Sequence, residues 1–244
     1  MPEGLWMNAV VAVLASFGGA LVQRVSGFGY GIFVMIFYTM ILPHGQATAL
    51  SALVSMVMAT SVAWRMRKHI NIRQVLIPLI SYTVTSTIAL NILGGMDVAL
   101  MKRIMGGFLI VLSVYFFFFH SRIHIRPTTV SALIAGGIGG VTGGFFSMGG
   151  PPVVIYYLNC LDSKDDYLAT IQCYFALSNL ISNIGRAAQG FVTETVLWLL
   201  IPAILAMLLG KALGGRIYGK VSPDLLKKIV YAFMAFSGLV SLLK

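Results

Sequence analysis

The stretch Ser147-Met-Gly-Gly-Pro-Pro-Val153 stands inside a chain that is otherwise strongly apolar. Proline lacks an N–H and glycine gives up the most backbone entropy on ordering, so the four in a row break a helix. In lipid, broken backbone survives only inside protein or beside a water-filled cavity, because its N–H and C=O groups have no other partners. The stretch therefore predicts a break between two half-helices that faces inward. Pro151 and Pro152 suit the first turn of the second half-helix, where the missing N–H costs nothing.

The surroundings support a membrane setting. Of 244 residues, 58 % are hydrophobic and only 10 % are charged, against about 25 % charged in soluble domains. The apolar residues form long blocks without the alternation of barrel strands, so the fold class is an all-α polytopic membrane bundle. The opening "MPEGLWMNAVVAVLASFGGALVQ" has no basic leader region, so a cleaved leader is not expected. The net charge of +10 resides in short inter-segment loops, the distribution membrane insertion produces, and no nucleic-acid partner is expected. Cys160 and Cys173 show neither metal-ligand nor disulfide spacing and read as small buried hydrophobes.

Ten hydrophobic segments are predicted, near 5–23, 27–42, 47–64, 75–93, 98–119, 128–146, 151–161, 167–185, 195–213 and 225–243. The second and seventh are short for a crossing of about 20 residues. A shift of 122 lays Gly27 on Gly149 and Ala47-Thr48 on Ala169-Thr170, and a shift of 124 lays Ile77-Pro78 on Ile201-Pro202. A shift of 125 lays Met101–Ile104 on Leu226–Ile229. The reading is two duplicated membrane repeats, 1–122 and 123–244, whose short segments correspond. Five segments per half imply opposite insertion. With "RMRKHINIR" (65–73) cytoplasmic, 13 of the 17 Lys and Arg residues fall inside and Lys102, Arg103, Arg186 and Lys244 outside.

Paired interrupted segments mark transporter binding sites. "SGFGYG" (26–31) and "SMGGPP" (147–152) are thus the expected pocket walls, with Ser26, Gly27 and Gly29 facing Ser147, Gly149, Gly150 and Pro151. A helix starting at such a break aims N–H groups and positive dipole at an anion. In "YLATIQCYFALSNLISNIGRAAQG", Gln172, Asn179, Asn183 and Arg186 share one helical face. They read either as a polar pocket wall ending in a cation, or as interhelical bonding with Arg186 snorkelling outward. Arg24 is either a cation beside the first break or an ordinary flank. Gly136, Gly140 and Gly144 read as a packing stripe, and the hydroxyls of segment four as helix-to-helix bonds. All seven carboxylates lie in loops or at segment ends, which disfavours a cation substrate. His44, His69, His120 and His124 read as loop residues. No ATP-binding loop, zinc-protease pair or hydrolase elbow occurs, so neither enzyme activity, metal nor cofactor is expected.

"GGVTGGFFSMGGPPVVIYYL" (139–158) resembles the hallmark of the TauE/SafE sulfite-exporter family, also called the toluene-sulfonate uptake permease family. "VSGFGYGIFVMIF" (25–37) looks like its first-half copy, with Gly27, Gly29 and Gly31 but no following proline. The resemblance implies secondary transport of sulfite, sulfonates, sulfoacetate-like or related small anions across a bacterial cytoplasmic membrane. The alternatives are a passive anion channel and a non-transport membrane subunit or enzyme. The partners expected are a small anion and the lipid bilayer, with a homodimer left open.

Overall fold

The computed structural model describes residues 3–26, 29–118, 126–161 and 163–217, with positions 235, 238, 239 and 242. Among these the chain is all-helical: α1 (Glu3–Ser26), α2 (Tyr30–Ile41), α3 (His44–Arg65), α4 (Ile72–Gly94), α5 (Val98–Phe118), α6 (Thr129–Phe146), α7 (Gly150–Leu158), α8 (Lys164–Ala188) and α9 (Glu194–Ile217). Each coincides with one of the first nine predicted segments. The tenth lies largely outside the described residues.

Local chemistry sets several of the boundaries. Thr128 and Ser131 form a reciprocal capping box at α6. Ser163 caps α8, with Asp165 and Asp166 in the first turn at the positive end of the helix dipole. Asn71 Oδ1 accepts from Gln74 N at the start of α4.

Among the described residues five helices are long and apolar enough to cross a membrane: Trp6–Arg24, His44–Arg65, Ile72–Gly94, Thr129–Phe146 and Glu194–Arg216. α2 and α7 are too short at 12 and 9 residues, and α8 is long but polar. The chain is inverted relative to a soluble protein. Ile80, Val84, Ile88 and Ile92 make an exposed stripe on α4, while Thr48, Ser86, Gln172 and Arg186 are buried. Such a stripe suits a lipid face.

Close approaches fix helix directions. Gly136, Gly140 and Gly144 of α6 meet Pro78, Tyr82 and Ser86 of α4 in rising order, so α6 runs parallel to α4 and the glycines are a packing stripe. Gly210 and Gly214 of α9 meet Phe17 and Leu21 of α1 in the same sense. α8 runs antiparallel to α3, joined by Asn71 N–Thr170 Oγ1 (3.0 Å) and Asn183 Nδ2–Met56 Sδ (3.7 Å). The ends of α1, α3 and α9 therefore gather with the starts of α4, α6 and α8. That end carries Arg24, Arg65, Arg67, Lys68, Arg73, Arg126, Lys164, Lys211 and Arg216.

Each short helix folds back on its predecessor. Tyr38 Oη of α2 lies 2.6 Å from Ser16 Oγ of α1, and Tyr157 Oη of α7 donates to Gln74 O at the basic end (3.0 Å). The α1–α2 and α6–α7 pairs thus enter from opposite ends, and the start of α2 meets the end of α6 inside the bundle.

Three smaller expectations change. His44 is no loop residue: it opens α3, is buried, and its Nε2 lies 2.7 Å from Phe145 O. His69 lies in a 3₁₀ turn, 3.0 Å from Asp166, while His120 and His124 fall outside the described residues. Cys160 and Cys173 are free thiols but only half-buried. Of the α4 hydroxyls, Thr85 does reach across, to Gly137 O of α6 (2.9 Å), whereas Thr83 and Thr87 bond their own helix.

Candidate functional site: a cavity at two helix breaks

The α6 break is built from an unusual backbone. Ser147 ends α6 in the left-handed region, φ 58° and ψ 29°, where only glycine sits without strain. Its N–H still bonds Gly143 O (2.9 Å), so the strained residue closes the helix rather than dangling from it. Gly149 follows, and α7 begins with prolines in its first turn, as the sequence predicts. On the other side Gly29, at φ 103°, opens α2, whose Tyr30 N–H is held by Gln23 Oε1 (3.3 Å).

The two breaks touch. A Cβ on Gly31 would run into the carbonyl oxygen of Ser147. A cavity of about 60 Å³ lies at this junction, several times the roughly 10–15 Å³ that one water requires. Its walls come from both hairpins: Gly29, Tyr30, Gly31 and Ile32 on one side, Ser147, Met148, Gly149, Gly150 and Pro151 on the other. Gln23 of α1, Ser55 and Ala59 of α3, Tyr82 of α4 and Gly143 of α6 continue the lining. Tyr174, Phe175, Ser178 and Asn179 of α8 close it.

Of the residues singled out from sequence, Gly29, Ser147, Gly149, Gly150, Pro151 and Asn179 are brought together here. Ser26 closes α1 and its side chain is not among those described; Gly27 lies outside the described residues. Arg24 is exposed at the end of α1 and does not line the cavity. Nor do Gln172 and Asn183, both buried on α8, where Asn183 turns to Met56 of α3. Arg186 does not snorkel. It is 0 % exposed, and Nη2 donates to Gly143 O (2.7 Å) and Gly144 O (3.3 Å) at the negative end of α6. It thus stands one carbonyl behind the cavity wall.

The cavity's chemistry is that of a neutral, donor-rich pocket. No carboxylate lines it. Among the described residues Tyr174 Oη and Ser147 Oγ are buried without a hydrogen-bond partner, as are Nε and Nη1 of Arg186. Buried polar groups ordinarily have partners, so orphaned hydroxyls on two residues of the cavity wall suit a ligand with acceptor oxygens. Tyr82 Oη pairs with Ser182 Oγ (2.7 Å) and its ring meets Tyr174 edge-on at 5.9 Å. Asn179 Nδ2 bonds Phe175 O (2.8 Å) of its own helix. No cluster of His, Cys, Asp and Glu able to hold a metal occurs among the described residues.

The lining residues missed from sequence are mainly Gln23, Tyr82, Tyr174 and Ser178. The last two flag themselves only once Tyr174, Ser178 and Ser182 are seen to recur every fourth residue and all to be buried.

Ser147→Gly tests whether the strain serves the hydroxyl. Losing the left-handed strain offsets the added chain entropy of glycine, so the melting temperature should stay within about 3 °C. Anion transport should still fall severalfold, as measured by flux into proteoliposomes.

Among the described residues the chain is a helical, multi-pass membrane protein with two interrupted helix pairs around a cavity, an arrangement found in membrane transporters. The chain matches the family model described as sulfite exporter TauE/SafE over residues 11–241, and it belongs to that family. The family is one of exporter-type membrane transporters rather than enzymes. No curated protein and no solved structure matches the chain.

Proposed function

We propose that this chain is a secondary transporter of a small sulfur-containing or organic anion, such as sulfite, a sulfonate or a sulfoacetate-like acid, working by alternating access in a bacterial cytoplasmic membrane. The observation that carries the reading is an acid-free cavity walled by the α6 break and the start of α2. The starts of α2 and α7 and the residues Tyr174, Ser147 and Asn179 line it, with the Arg186 cation behind Gly143. Each of these favours a bound anion.

Duplicated, oppositely inserted halves 1–122 and 123–244 supply the two-state element. In support, exchanging α1–α4 with α6–α9 preserves the packing scheme. The α1–α9 pair becomes α6–α4, α1–α2 becomes α6–α7, α2–α3 becomes α7–α8, and α3–α8 maps onto itself. Rocking one hairpin pair against the other exposes the cavity to each side in turn.

The test is solid-supported-membrane electrophysiology on proteoliposomes challenged with sulfite, sulfoacetate, taurine, an aromatic sulfonate, sulfate and acetate. Saturable currents for one or two sulfur anions, with counterflow, are expected. Non-saturating flux would point to a channel instead. Asn179→Leu and Tyr174→Phe should insert normally and lose most of the saturable signal, about tenfold or more for each lost hydrogen bond to a charged ligand. Wild-type flux in both variants would remove the cavity from the site assignment.

A further inference from the structure

The basic end of the bundle holds a second feature that the central cavity does not use. Arg24 on the last turn of α1 lies over Gly214 and Gly215 of α9, with Nε 3.6 Å and Nη2 3.8 Å from where a Cβ of Gly215 would stand. Lys211, one turn earlier on α9, donates from Nζ to Ser61 Oγ of α3 at 2.6 Å. Arg65 lies one turn beyond Ser61 on the same helix. Lys211 and Arg65 therefore flank Ser61, one from each of two packed helices. Three cations from three packed helices therefore lie within about one helical turn of one another along the bundle, and among the described residues none of them has a carboxylate partner; His69–Asp166 is the ion pair described at this end.

Like charges drawn together without a counter-ion cost free energy. Membrane topology alone does not require this: loop residues such as Arg67, Lys68 and Arg73 satisfy the positive-inside pattern without converging. Lys211 and Arg24 are instead held within their helices, Lys211 half-buried. The position is also specific. Gln23 precedes Arg24 and Ala59 lies six residues before Arg65, and both line the central cavity; six helical residues span about 9 Å.

We propose that Arg24, Arg65 and Lys211 form a second oxyanion site, at the basic mouth of the protein, which takes a phosphate-, sulfate- or sulfonate-type group. Two guanidinium groups offer planar forks and the ammonium a point charge, a set that matches three acceptor oxygens on one centre. The group arrives either as a free anion approaching the central cavity or as the phosphate of an anionic lipid seated between α1, α3 and α9. The site stands on its own residues, so it can fail while the central cavity remains the transport site, and the reverse.

Equilibrium dialysis of the full-length protein in nonionic detergent, with radiolabelled sulfate as the probe, tests it. Saturable binding is expected, weakened about tenfold or more in Arg65→Met and Lys211→Met, as loss of a charge-assisted contact implies, and retained in Asn179→Leu. Wild-type binding in both cation variants, or no saturable binding at all, would overturn the proposal. Arg65→Glu guards against misfolding: by pairing with Lys211 it should raise the melting temperature without sulfate and abolish the rise that sulfate produces. An undiminished sulfate-dependent rise in that variant would likewise refute the site. Nanodiscs then distinguish the source. Sulfate binding that survives in phosphatidylcholine and disappears with phosphatidylglycerol assigns the site to the lipid phosphate; binding that persists in both assigns it to the free anion.

Discussion

Replacing Arg186 by methionine is expected to abolish anion transport while leaving the protein folded. The guanidinium is fully buried, two of its nitrogens lack partners in the chain, and no carboxylate neutralises it among the described residues. For stability alone such a group is a burden, because desolvating an ion costs several kcal/mol and only an excellent counter-charge repays it. What it gains here is a cap on the last turn of α6, through Gly143 O and Gly144 O. That cap is partly redundant, since Gly143 O also accepts from Ser147 N. Methionine fills much of the volume without the charge, so thermal stability should hold or rise slightly.

Transport responds differently. A unit charge one residue layer from the anion contributes about 2–3 kcal/mol at an effective dielectric near 20, roughly 30- to 150-fold in affinity. Flux in Arg186→Met should fall by about that factor, and Arg186→Lys, which keeps the charge but loses the fork, should recover part of it. Loss of flux that simply tracks loss of folded protein, measured by fluorescence-detected size exclusion, would make Arg186 a structural cap and nothing more.

The fold was largely legible because its signals are strong ones. Apolar blocks marked nine helices, and the pair of breakers marked where two of them fail to cross. What escaped was the direction of individual side chains. Gln172, Asn179, Asn183 and Arg186 do share a helical face, but α8 is enclosed by α3, α4 and α7, so several of its faces are buried at once. Polarity therefore did not mark the cavity-facing side, which runs through Tyr174, Ser178 and Asn179. Tyrosine also counts as apolar in any hydropathy reading, and that hid Tyr82 and Tyr174. Of the two readings open for Arg186, pocket cation or outward snorkelling, the second fails because the carbonyls left at the end of α6 give it a nearer partner, invisible before the break is located. Gly31 was read as one glycine of three, whereas contact with Ser147 across the two halves makes it the point where the breaks meet.

Adjacent glycines in the second break should behave oppositely, and this comparison has the largest expected contrast. A Cβ on Gly149 would stand 2.5 Å from Gly139 O and 3.3 Å from Gly143 Cα, all backbone of α6. Backbone cannot rotate aside, so even alanine forces the hairpin apart. A cost of about 2–4 kcal/mol follows from overpacking in a close-packed interior, and the displaced break no longer presents Ser147 and the start of α7 to the cavity. One residue on, a Cβ at Gly150 meets only the ring edge of Phe175 at 3.5 Å, an ordinary contact with a side chain that can yield. Gly150→Ala should therefore keep folding and most of its transport, and even gain a few tenths of a kcal/mol from reduced chain entropy. Gly149→Ala should lose transport entirely and melt several degrees lower. Measured side by side in one proteoliposome series, the pair separates a pocket that depends on backbone fit from one that tolerates any small residue: equal flux in both would mean that the contact of Gly149 with Gly139 is not what holds the site open.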